Sequence, residues 1–245
     1  MATDAPLVLS VDTATLGGSV SIVRHDVLLA HALGSQEVSH SNSLLNDING
    51  CLKQAGISLT EVDLFAASAG PGSFTGLRIG LATIKALAAT LGRPCVGIPT
   101  LKAVARAGGP SDATVALLPA GRGEVFVQMF SVAPAAKVEA LDAAAHLSPD
   151  KMLDKYGSLR NLRWSGEGAH RYRDLLQQYA NRVGIEFGEQ SREAGLGWSL
   201  AVAERNLSKH VAALALQELN RGASVDAQSL KAIYVRPSDA ELKCP

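Results

Sequence analysis

Two short stretches hold residue types that could do chemistry. Asp12-Thr13 closes a branched apolar run and is followed by Ala-Thr-Leu-Gly-Gly, so a carboxylate, a hydroxyl and turn amides come together. Such a set can orient a magnesium-bound phosphate, and it can equally be a capped tight turn. The second stretch, Gly70-Pro71-Gly72-Ser73-Phe74-Thr75-Gly76, lies between a strand-like and a helix-like segment. Free N–H groups at a helix start attract anions, and glycines let a ligand approach the backbone. Asp12, Thr13, Gly70, Gly72 and Ser73 are therefore the candidate residues for weak anion or nucleotide binding. The spacing is not Gly-x-Gly-x-x-Gly, and no Lys-Ser/Thr follows as in a phosphate-binding P-loop. Ser73 as a helix N-cap accounts for its hydroxyl without a ligand.

Gly76 and Gly80 sit further along, inside what reads as a long apolar helix. Glycine costs a helix interior roughly 1 kcal/mol against alanine, so something must compensate. The two lie one turn apart, and Thr83 and Leu87 continue the stripe. A face of small residues admits a second helix, or packs on the chain's own sheet.

Elsewhere the chemistry is sparse. The 6 histidines include no His-x-x-x-His pair, and His40 stands among Ser39, Ser41, Asn42 and Ser43 as a capping or surface residue would. The 3 cysteines form no Cys-x-x-Cys and read as free thiols in a reducing compartment. No Gly-x-Ser-x-Gly elbow or Cys/His context nominates a nucleophile. Pairs such as Glu61/Asp63 and Glu186/Glu189 read as solvated acids. No catalytic residue and no metal site follow from spacing.

The elements that would position these residues read as an α/β chain. Residues 7–14, 18–26 and 27–34 are three short strands in a meander, followed by a helix over 37–56 and a strand over 63–68. The glycine loop and a helix over 73–92 come next, then a strand over 95–99. The second half repeats this grammar: strands at 114–121, 124–132 and 137–144, a helix at 148–157 and a strand at 161–168. Helices over 170–184 and 199–222 and an extended tail at 230–237 complete it. Two lobes facing a cleft are expected, 1–106 and 107–245, divided near the Gly/Pro/Ser-rich run 105–113. The C-terminal helix and tail are expected to pack back on the first lobe.

Bulk properties narrow the function classes. With 23 basic and 23 acidic residues the net charge is zero, so an autonomous nucleic-acid binder is disfavoured. The N-terminus carries no basic region followed by an apolar core, and no stretch approaches 18 uninterrupted apolar residues. A cytoplasmic protein with no membrane partner is expected.

The runs LVLSVDTA, HSNSLLNDI, SAGPGSFTGLRIGLATIKALA, PCVGIPTL and the tail IYVRPSDAEL together resemble the TsaB (YeaZ) family. The resemblance covers nearly all of residues 7–104 and is thinner over 105–228. It implies two ribonuclease H-like lobes of the actin/sugar-kinase/chaperone ATPase-like superfamily. It also implies a non-catalytic subunit of the machinery making N6-threonylcarbamoyladenosine (t6A) next to the tRNA anticodon. The catalytic paralogue TsaD would be the heterodimer partner, TsaE would join through that complex, and tRNA would be met only indirectly. A homodimer is expected in isolation. The partner-facing residues would be His40, Leu44, Leu45 and Ile48 on the first helix and Gly76, Gly80, Thr83 and Leu87 on the second. No cofactor would be required, with weak or interface-bound ATP or ADP at most.

The sequence departs from the catalytic paralogue in an informative way. TsaD proteins carry Asn-His-x-x-Gly-His after the strand that follows the glycine helix; Thr100 and Val104 stand at the histidine positions here. Pro119-Ala120-Gly121-Arg122 also replaces an Asp-Ala-Arg common in relatives, leaving Asp12 without an acidic counterpart. Ser165-Gly166-Glu167-Gly168 could approach an adenosine, and a strand-to-helix turn explains it as well. The rival reading is an autonomous nucleotide-dependent phosphotransferase using the Asp12 turn and the Gly70–Gly76 loop.

Overall fold

The computed structural model describes residues 5–25, 27–34, 40–134, 137–189, 197–222 and 227–235. They form two units, one of the described residues up to 103 together with those from 205 to 234, the other of those from 104 to 204.

The first unit is built on one sheet of order β3-β2-β1-β4-β5. The strands β1 (Leu7–Asp12), β2 (Ser19–Arg24) and β3 (Val27–Leu33) run as an antiparallel meander. β4 (Leu64–Gly70) and β5 (Cys95–Pro99) add in parallel on the other side of β1. Parallel neighbours need crossovers, and two helices supply them: α1 (His40–Ala55) before β4 and α2 (Phe74–Leu91) before β5. β1 and β4 are buried along their whole length, as strands covered on both faces must be. One face packs Leu9, Val11, Phe65, Ala67 and Ala69 against Leu44, Ile48, Leu81 and Ile84. Cys51 and Cys95 are buried thiols outside any disulfide, and burial with the nearby Asp47 pushes the Cys51 thiol up to about 11.

The other face is covered by α7 (Leu207–Asn220), which returns from the end of the chain. A buried polar network docks it. Ser10 Oγ donates to the Ser208 carbonyl at 2.9 Å, Ser21 Oγ donates to Asn206 Oδ1 at 2.9 Å, and Ser208 N–H donates to Ser19 Oγ at 3.0 Å. Each of these serines is satisfied, which is why small hydroxyls are tolerated inside the sheet.

The second unit repeats the plan, with order β11-β12-β10-β6-β7-β8 and β9 paired to β7. β6 (Ser111–Gly121), β7 (Glu124–Val132) and β8 (Val138–Ala140) are antiparallel; β10 (Leu162–Ser165) and β12 (Trp198–Leu200) run parallel to β6 and to each other in turn. β9 is Ala145–Leu147 and β11 is Phe187–Glu189. α4 (Pro149–Tyr156), α5 (Glu167–Arg171) and α6 (Arg173–Arg182) belong to this unit, and Trp164, Trp198 and Tyr156 fill its core. Both sheets contain the ribonuclease H-like order, β3-β2-β1-β4-β5 and β8-β7-β6-β10-β12, so the fold is of the actin/sugar-kinase ATPase-like class.

Several elements differ from the sequence reading. α3 (Thr100–Ala107), β9 and β11 are additional, and β6 begins inside the run read as a linker. The strand expected at 137–144 shortens to β8, because Asp142 leaves the sheet to accept from Met129 N–H and the Tyr156 hydroxyl. The helix expected from 199 begins only at Leu207, since Trp198–Leu200 pair with β10 as β12. The helix expected over 170–184 is two pieces broken at Tyr172. The units divide after Ala103, and Arg205–Tyr234 falls with the first. The segments 35–39 and 236–245 lie outside the described residues.

Candidate functional site

The two candidate stretches meet. Asp12 ends β1 and is 1% exposed, yet its carboxylate is already engaged: Oδ1 accepts from Ala14 N–H at 3.2 Å and Oδ2 from the Thr15 hydroxyl. This is an Asx-type turn, in which a short acid closes its own hairpin. The glycine loop then lies on that turn. Ser73 N–H donates to the Ala14 carbonyl at 2.8 Å, and a Cβ on Gly72 would come within 2.7 Å of the Ala14 methyl. At the start of α2, Ser73 Oγ caps Gly76 N–H at 3.2 Å and Ser73 O accepts from Leu77 N–H at 2.8 Å. Gly70 N–H donates to the Thr100 hydroxyl at 3.1 Å. So Gly72 and Ser73 are brought onto the turn that holds Asp12 and Thr13, Gly70 N–H is taken by Thr100, and the Asp12 carboxylate and the Ser73 amide already have partners within the chain.

The same contact explains the helix glycines and corrects their reading. A Cβ on Gly76 would sit on the Thr13 carbonyl oxygen, and one on Gly80 on the Thr13 hydroxyl. The neighbour they admit is the β1–β2 turn of the same unit, not a second helix. Leu44 and Ile48 likewise face inward, 5% and 4% exposed in the chain's own core, and Leu87 packs partly against it. Thr83 is half-buried. Of the expected partner-facing residues Leu45 stands clear, 65% exposed, while the side chain of His40 lies outside the described residues.

What the sequence reading missed is the opposite face of α2. Thr75, Arg78, Ala82, Ala86 and Ala89 are exposed along it. By length and composition α2 is apolar enough to cross a membrane, yet only 33% of it is buried within the chain. The signal was present as an apolar helix without an acid, Arg78 and Lys85 being its only charges.

The positions that carry histidines in TsaD hold no ligand. Thr100 is fully buried with its hydroxyl oxygen accepting from Gly70 N–H, and Val104 is a core residue. Among the described residues no group of His, Cys, Asp and Glu is arranged to hold a metal. In the second unit, Gly166 and Gly168 abut Leu117, and Ser165 Oγ donates to the Val104 carbonyl at 2.9 Å, so that turn is packed too.

Comparison with known proteins agrees with this architecture. Residues 28–223 match the family model described as TsaD, tRNA N6-adenosine threonylcarbamoyltransferase. An uncharacterised protein of Mycobacterium tuberculosis (strain ATCC 25618 / H37Rv) is 31% identical over 62% of this chain and 72% of its own length. The tRNA threonylcarbamoyladenosine biosynthesis protein TsaB of Escherichia coli (strain K12) is 36% identical over 49% of this chain and 52% of its own. YeaZ from Pseudomonas aeruginosa superposes with a TM-score of 0.72 at 22% identity, over 94% of this chain and 99% of that one, and so shares the fold. The chain belongs to the TsaD family and, within it, to the TsaB (YeaZ) group.

Proposed function

We propose that the chain serves tRNA threonylcarbamoyladenosine biosynthesis as a non-catalytic subunit, pairing with a TsaD-type transferase through the outer faces of α1 and α2. The observation that carries this reading is α2 itself, an apolar helix of 18 residues with a third of its length buried in its own chain. Exposed alanines at 82, 86 and 89 let a second helix approach closely, and Leu45 on the neighbouring α1 offers an apolar anchor. Two such helix faces can supply about 800 Å² per partner, the scale of a specific interface.

A non-catalytic role is supported by the residues that would otherwise do the work. Thr100 and Val104 replace the paired imidazoles, and neither side chain can ligate as an imidazole does. Asp12 spends both oxygens within its own turn. Any nucleotide would therefore be held weakly by this chain, or at the partner interface. A TsaE-type ATPase would join through the complex, and tRNA would be met through the partner. Self-association through the same faces is the expected state without that partner.

Depleting the protein and quantifying tRNA nucleosides by mass spectrometry tests the assignment. Threonylcarbamoyladenosine is expected to fall and to be restored by a copy carrying Asp12→Asn. Undiminished modification on depletion would remove the pathway reading. Failure of the Asp12→Asn copy at normal protein levels would favour catalysis by this chain.

A further inference from the structure

The C-terminal segment crosses the ends of β5 and β4 and is fastened at three points. Leu230 is 3% exposed, and its Cδ1 lies 2.7 Å from where a Cβ on Gly97 would stand. β5 ends at Pro99, which has no N–H to offer; the Ala69 carbonyl on β4 instead accepts from Ile233 N–H at 2.6 Å. The Ile233 carbonyl then occupies the space a Cβ on Gly70 would fill. Beyond it, the Tyr234 ring lies 5.4 Å from that of Phe74, the first residue of α2. The Arg78 guanidinium sits 3.9 Å over the centre of the same Phe74 ring. Tyr234, Phe74 and Arg78 thus form one contact chain, the two rings tilted by 38°, leading from the tail to the exposed face of α2.

We infer that Leu230–Tyr234 is a clamp that positions the first turn of α2, with Tyr234 a positioning residue for Arg78. This cluster does not complete the core, since Tyr234 is 49% and Phe74 36% exposed. It restrains two side chains that would otherwise be free at the surface, lowering the entropy lost when a partner docks on Arg78. Gly70 and Gly97 are glycines because the clamp passes over them. The link to a partner rests on the function proposed above; the clamp itself does not.

Tyr234→Ala and Tyr234→Phe separate the two. Amide exchange of residues 74–78 and sedimentation with a purified TsaD-family transferase are the readouts. Tyr234→Ala is expected to speed exchange there and weaken association, each by about two- to tenfold, the worth of one aromatic pair. Tyr234→Phe keeps the ring and should match the parent chain in both. Unchanged exchange in Tyr234→Ala overturns the clamp. Faster exchange with unchanged association overturns its link to the partner surface. Should the parent chain itself not associate, the partner reading falls with the link, and exchange alone decides the clamp.

Discussion

The two units solve the same turn in the same way and then diverge on their surfaces. After β4, glycines 72, 76 and 80 rest on the turn that ends β1; after β10, glycines 166 and 168 rest on Leu117 in β6. In both, the segment leaving the neighbouring parallel strand must pass close over the central one, and a Cβ would block it. A glycine-rich strand-to-helix turn is thus a device of this topology, required by close packing in both units. What sets the first unit apart lies outward. α2 exposes Ala82, Ala86 and Ala89, whereas α6 exposes Asp174, Gln178, Asn181 and Arg182. One exposed helix face is charged and polar, and the other is mostly small and apolar.

The largest expected effects probe the shared device. Gly76→Ala drives a methyl onto the Thr13 carbonyl, and Gly166→Ala onto the Leu117 carbonyl at a φ of 97°. Each should lose about 3 kcal/mol, the upper range for overpacking, with backbone strain adding to the second. Denaturant unfolding checks both; a loss in only one unit would break the equivalence. Gly76 is accordingly a stability position, and a bulky residue there is expected to disturb the monomer as well as any complex.

A smaller effect is expected where the units differ in how their sheets are covered. Asn206→Ala removes the acceptor shared by the Ser21 and Ser208 hydroxyls beneath α7. Leaving buried hydroxyls short of a partner should cost about 2 kcal/mol, read by thermal or urea unfolding. A neutral result would mean that apolar packing alone docks the helix.

Much of this was legible in residue order. The branched apolar runs from Leu7 to Leu33 and the alternation that follows carry the succession of three strands, helix, strand, helix and strand, with a looser repeat in the second half; the ribonuclease H-like strand order was implied by the family resemblance and is seen in both sheets. The site was harder to read. Thr13 and Gly76 are distant in sequence, so nothing local says which neighbour a helix glycine admits. α2 has small residues on two faces, Gly76 and Gly80 on one and Ala82, Ala86 and Ala89 on the other. Periodicity finds both stripes but cannot say which one the sheet takes. Leu44 and Ile48 were misplaced for the same reason, since an apolar residue suits a core and an interface alike. α3 escaped notice because eight residues directly after Pro99 offer too little period to separate them from a loop.

The smallest expected change in stability belongs to the most consequential variant. Ala82→Arg adds a charged side chain to an exposed position of α2 and should shift unfolding by no more than about 0.5 kcal/mol. Gln178→Arg on α6 is its counterpart in the second unit and should be equally benign. Sedimentation of each variant with the TsaD-family transferase then tests the central claim. The account predicts that the parent chain and Gln178→Arg form the complex while Ala82→Arg, folded and equally stable, does not. A complex formed undiminished by Ala82→Arg would contradict it.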